Sequence, residues 1–161
     1  MEHTTQAILV TGIGATLIMD LGSVVRRALF ATPFPNYAMV GRWLAHMPRG
    51  RFRHDAIGAA GKMRGELVTG WVTHYAIGIV IALLLRVVAG PEWFDRPGFA
   101  PALVTGVLTV LAPFLVMQPA MGLGFAASRA PRPAMARLQS LLNHAIFGAG
   151  LYLAARVFNA I

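Results

Sequence analysis

A chain of 161 residues that is 57% hydrophobic and only 12% charged carries too little charge to cover a water-exposed surface, which excludes an ordinary soluble domain. Fourteen Lys and Arg against six Asp and Glu give a net charge of +8, yet the basic residues cluster between apolar runs, so membrane topology accounts for them and nucleic-acid binding is not expected. The absence of cysteine excludes disulfides, thiolate metal sites and a cysteine nucleophile.

The first apolar run covers residues 6–25 and continues into Arg26 and Arg27. The opening MEHTTQAILV lacks the basic region of a cleavable signal peptide, so this run is expected to remain as a membrane helix. A long basic connection follows over 26–65. Within it Tyr37, Val40, Leu44 and Met47 recur at helical spacing beside Trp43, which predicts a short helix lying in the membrane interface. After Pro48 comes the basic knot RGRFRH. It reads either as a cytoplasmic retention signal touching anionic head groups or as an anion site, with Arg42, Arg49, Arg51, Arg53 and His54 as the candidate contacts.

Three further apolar runs lie at 66–88, 101–127 and 135–158, each near the roughly 20 residues that span hydrocarbon. The connection GPEWFDRPGF reads as a tight turn, with Trp93 and Phe94 at the water boundary. Arg26, Arg27, Arg42, Arg49, Arg51, Arg53, Lys62 and Arg64 fall between runs one and two, and Arg129, Arg132 and Arg137 between runs three and four. Only Arg86, Arg96 and Arg156 fall on the other side. The positive-inside rule therefore places the crowded side in the cytoplasm and both termini in the periplasm.

Each run carries one strongly polar side chain: Asp20, His74, Gln118 and His144. At about 1.5 Å of rise per residue they lie roughly 9 to 16 Å inside the cytoplasmic boundary, Pro119 bending the third helix beside Gln118. Ionisable groups in hydrocarbon are costly, so they are expected to face one another or a wet cavity. Rows of small residues at i, i+4 (Gly12, Thr16, Asp20; Gly70, His74, Gly78; Gln118, Gly122; Ser140, His144, Gly148) point the same way, because small residues let helices approach. His144, Gly148, Leu153, Arg156 and Val157 also repeat His74, Gly78, Leu83, Arg86 and Val87 at a constant offset. The fold expected is thus an all-α polytopic membrane protein. Its single domain, 1–161, holds four transmembrane helices as two repeated hairpins.

The segments GRWLAHMPRGRFRH, GWVTHYAIG, MQPAMGLGFAAS and NHAIFGAGLY together resemble a family of small bacterial inner-membrane proteins catalogued as a domain of unknown function. The resemblance covers nearly the whole chain. It implies a four-helix inner-membrane protein and brings no activity with it.

Three readings of the polar residues remain open. They bind or conduct a small ligand, ion or proton, since a carboxylate and two imidazoles exchange protons near neutral pH; four helices are few for a transporter, so this reading implies a homo-oligomer. Alternatively, they are interhelical glue in a structural or partner-stabilising protein. The third reading is a cofactor site. His74 and His144, each with Gly four residues on, suit bis-histidine haem, and Asp20 with both His suits Zn or another divalent metal. An enzyme has less to rest on: Ser23, Ser128 and Ser140 sit in no recognisable nucleophile setting.

Overall fold

In the computed structural model, which describes residues 2–160, the regular elements are all helices, with no strand among the described residues. The α-helices are α1 (Glu2–Phe30), α2 (Tyr37–His46), α3 (Glu66–Ala89), α4 (Phe99–Leu108), α5 (Gln118–Ala120) and α6 (Pro133–Phe158). Four segments are long and apolar enough to cross a membrane: Glu2–Phe30, Glu66–Ala89, Phe99–Ala120 and Pro133–Phe158. The short helix expected in the first connection is α2.

Two boundaries differ from the sequence reading. α1 runs about a turn further at each end than 6–25, and at its C-terminal end Arg26, Arg27, Ala28 and Leu29 are good helix formers. The third span stops at Ala120 instead of 127. Pro113 and Pro119 lack the N–H that regular α pairing needs, and the chain answers with a π-turn over Pro113–Met117 in which the Gln118 N–H reaches back to Pro113 O. Gly122 then takes φ +92, and a Cβ there would sit 2.0 Å from Asp55 O. Only glycine satisfies both conditions, so the helix ends and the chain turns.

The chain packs as two compact units. The first comprises Met1–Phe34, Tyr75–Thr109 and Leu141–Ile161. Its helices meet at glycines. A Cβ on Gly12 of α1 would lie 2.6 Å from Ile79 Cα of α3, and one on Gly106 of α4 would lie 2.4 Å from Gly148 Cα of α6. α1 also meets α6, where Gly150 lies against Ala15. Around these crossings Leu85, Phe147 and Leu151 fill the interior, and Trp93 and Phe94 close one end.

The residue types on α1 are distributed inside-out. Its buried face is Ala7, Thr11, Gly12, Ala15, Thr16, Asp20 and Ser23, while Leu9, Val10, Ile13, Leu17, Leu21 and Val24 are exposed. Small and polar groups face the protein, and branched apolar ones face out. Exposed Val and Leu side chains continue along α3, α4 and α6, with Val80, Val87, Val104 and Leu153 as examples.

The second unit comprises Pro35–His74 and Val110–Ser140. α2 crosses the start of α3 at Gly41 and Gly70, where a Cβ on Gly41 would lie 1.8 Å from Glu66 O and one on Gly70 would lie 1.9 Å from Tyr37 O. The segment after α2 is fastened along its length. Trp43 Nε1 donates to Phe52 O at 2.8 Å, His54 N to Ala120 O at 2.8 Å, and Ile57 N to Met121 O at 3.0 Å.

Candidate functional site

The four polar residues divide between the units, Asp20 and His144 in the first, His74 and Gln118 in the second. Each has a hydroxyl for a neighbour. α1 presents Asp20, 7% exposed, and Tyr75 of α3 donates its phenol to Asp20 Oδ2 at 3.1 Å. The imidazole of His74 takes Tyr37 of α2: Tyr37 Oη is 3.0 Å from His74 Nε2, and the rings stack with centroids 4.2 Å apart. Trp71, one turn before His74, lies edge-on to the same imidazole at 5.9 Å. The Gly41–Gly70 crossing makes this possible by bringing α2 close enough for Tyr37 to lie flat on α3.

His144 projects from α6 toward the end of α4. Its Nδ1 is 2.9 Å from Thr109 Oγ1, which is itself 2.6 Å from Gly106 O. A carbonyl only accepts, so the Thr109 hydroxyl donates to Gly106 and its oxygen receives the His144 Nδ1–H. That leaves His144 Nε2 as the lone-pair nitrogen. Gln118 is 6% exposed and donates weakly to Ser140 Oγ at 3.5 Å, while its Oε1 is buried with no partner. Among the described residues no three His, Cys, Asp or Glu side chains come together as a metal site, so the reading of Asp20, His74 and His144 as metal ligands gains no ligand set from the structure.

The candidate anion contacts, Arg42 and the basic knot, separate into two kinds of residue. Arg49, Arg51 and Arg53 are exposed, with Phe52 exposed between them. Arg42 and His54 are buried, at 7% and 5% exposure. Arg42 forms a bidentate ion pair with Glu66, both contacts at 2.8 Å, and its Nη1 donates to the carbonyls of Ile57, Gly58 and Ala60. The hydrogen bond to Glu66 holds the guanidinium above its ordinary pKa, against the lowering effect of burial. Glu66 also accepts the Met63 N–H at 2.9 Å. Arg42 is therefore a clasp that closes the 57–66 segment.

The model of a family described as "Protein of unknown function (DUF2938)" matches residues 9–158. The chain belongs to this family. No curated protein and no solved structure matches the chain. In this DUF2938 member, the hydroxyl partners Tyr37, Tyr75 and Thr109 and the clasp partner Glu66 are what sequence reasoning left out. Glu66 could have been found: it directly follows a connection that holds eight basic residues and a single acid, Asp55, and such an isolated acid calls for a cation. The tyrosines gave no comparable signal, since an aromatic residue on an apolar helix reads as core or interface.

Proposed function

We propose that this DUF2938 protein is a bacterial inner-membrane protein that crosses the bilayer four times and binds a small ligand, ion or proton at its intrahelical polar residues. The observation that carries the membrane assignment is the inside-out face of α1, with Asp20, Thr16 and Ser23 buried and Leu17, Leu21 and Val24 outermost. Water would select the reverse, and lipid selects this arrangement. The exposed basic residues of the 49–64 region support a cytoplasmic position for that side and periplasmic termini, by the positive-inside rule. A two-hairpin repeat is supported by the crossings: Gly12 meets Gly78, Gly106 meets Gly148, and a histidine precedes the second glycine of each pair by one turn.

The hydroxyl partners support proton or ligand exchange. Tyr37 beside His74, Tyr75 beside Asp20 and Thr109 beside His144 each give a titratable group a neighbour able to pass or receive a proton. Among its described residues one protomer offers four candidate spans, few for a transporter, so the conducting form is a homo-oligomer. Because the chain is free of cysteine, topology is directly testable. Single cysteines introduced at Gly61 and Glu92 should label from the cytoplasmic and periplasmic sides respectively, and the reverse pattern overturns the orientation. For function, proteoliposomes loaded with a pH-sensitive dye should show a proton or solute flux lost in Asp20→Asn and His74→Ala; flux equal to that of active wild type removes the reading.

The same pairs favour a second reading, interhelical glue. Hydrogen bonds of this kind are worth about 0.6 to 2 kcal/mol each in a membrane, enough to fix a bundle without chemistry. Variants that lose thermal stability in proportion to the bonds removed, in a protein without flux, would select it.

A further inference from the structure

Outside the four polar residues, the second unit holds two other histidines, and their surroundings are unlike those of ordinary core histidines. His46, at the end of α2, and His54, in the segment fastened to Ala120, are each 5% exposed. Their ring planes are inclined at 65° with centroids 5.0 Å apart. His46 Nε2 is 3.1 Å from Gly61 O. A carbonyl only accepts, so Nε2 carries the proton, and His46 Nδ1 is left with its lone pair. That Nδ1 is buried and has no partner.

His54 repeats part of the arrangement. Its Nε2 is likewise buried without a partner. Burial holds the His54 pKa below its ordinary value, with the neighbouring His46 and Arg51 acting in the same direction and Asp55 against them. Each ring thus keeps a buried nitrogen without a partner, and the His46 ring is held from behind by the Gly61 carbonyl. Metal-ligating histidines are held in this way, since the carbonyl behind the ring fixes the tautomer and the orientation of the free nitrogen.

The spacing agrees. An ion lies about 2.0 to 2.1 Å from an imidazole nitrogen, hence about 3.2 Å from the ring centroid. Two such rings with centroids 5.0 Å apart subtend about 100° at a shared ion, close to the tetrahedral angle and far from linear.

We propose that His46 Nδ1 and His54 Nε2 form a two-histidine site for a first-row transition-metal ion of the Zn2+ class, its remaining positions taken by water or an exogenous ligand. The site is independent of Asp20, His74 and His144. Full-length protein purified in detergent without a polyhistidine tag, stripped with chelator and titrated with Zn2+ or Co2+, should take up one equivalent. Affinity should fall at least tenfold in His46→Gln and in His54→Gln and stay unchanged in His3→Gln, the one histidine outside both sites. X-ray absorption at the metal edge of the loaded wild type should show two imidazole nitrogens, and this holds even where a variant fails to fold. Uptake no greater than in the double variant, a metal shell without imidazole, or an equal loss of affinity in His3→Gln would each overturn the site; the first of these outcomes assigns the two nitrogens to a bridging buried water.

Discussion

Gly41 tests the account of how α2 is held on α3. An alanine there places its Cβ 1.8 Å from Glu66 O and 2.7 Å from Gly70 N. Ordinary contact lies near 3.4 Å, so α2 must retreat by about 1.5 Å. Overpacking of a filled contact costs about 1 to 3 kcal/mol, and the upper end applies because the obstacle is backbone, which cannot rotate aside. Replacing glycine within a helix returns about 1 kcal/mol. The net loss is then about 2 kcal/mol, or a melting temperature lower by about 4 to 8 °C for a chain of this size. The same retreat carries Tyr37 beyond hydrogen-bond reach of His74 and opens the bidentate Arg42–Glu66 pair. Thermal unfolding in detergent, followed by tryptophan fluorescence, measures the effect, since Trp43 and Trp71 both lie in this unit. Gly61→Ala is the control, because its Cβ meets nothing within 4 Å. If Gly41→Ala melts no lower than Gly61→Ala, the close crossing is not what holds the helices.

Three other outcomes follow from single contacts. Glu66→Gln keeps the volume but removes the charge that Arg42 needs in its 7% exposed position, so the 57–66 segment should loosen and trypsin should cut faster at Arg64 and Lys62. Gln118→Leu removes a carbonyl that is buried without a partner, so the ligand-free protein should gain about 1 kcal/mol in chemical denaturation while any solute binding at Gln118 is lost. In chelator-treated protein the folded pKa of His54 lies below its unfolded value of 6.5, so the unfolded chain binds more protons below that pH. His54 should therefore contribute full stability above pH 6.5 and lose it as pH falls through the folded pKa, and melting curves of His54→Gln should show a flatter acid limb.

The four long apolar helices were legible because such helices leave a coarse mark: runs of about 20 apolar residues bounded by arginines. The end of the third span was not. Hydropathy stays high through Met121, Leu123 and Phe125, and nothing in that average registers that Gly122 takes φ +92 against Asp55 O. The roles among the candidate anion contacts were hidden for a related reason. Arg42 and Arg49 are the same residue in the same charged stretch, yet one turns inward to Glu66 and three carbonyls while the other stays exposed. Which does which depends on where the 57–66 segment folds back, and that is a tertiary event.

The polar residues show how far spacing alone reaches. A lone titratable group in an apolar run signals that something compensates it, but the compensating group is chosen by packing. His74 and Tyr75 are consecutive, yet His74 belongs with Tyr37 of α2 and Tyr75 with Asp20 of α1, and the division between the two units falls between them. α3 thus serves each unit through one of two adjacent side chains. A substitution at Tyr37 should therefore be felt at His74 and leave the Asp20–Tyr75 bond in place, while Tyr75→Phe should do the converse. Double-mutant cycles pairing Tyr37→Phe with His74→Ala, and Tyr75→Phe with Asp20→Asn, separate the two pairs. Coupling within each pair of about 0.6 to 2 kcal/mol is the expected size for membrane hydrogen bonds, and its absence in both would mean these contacts neither hold the helices nor serve as a route for protons.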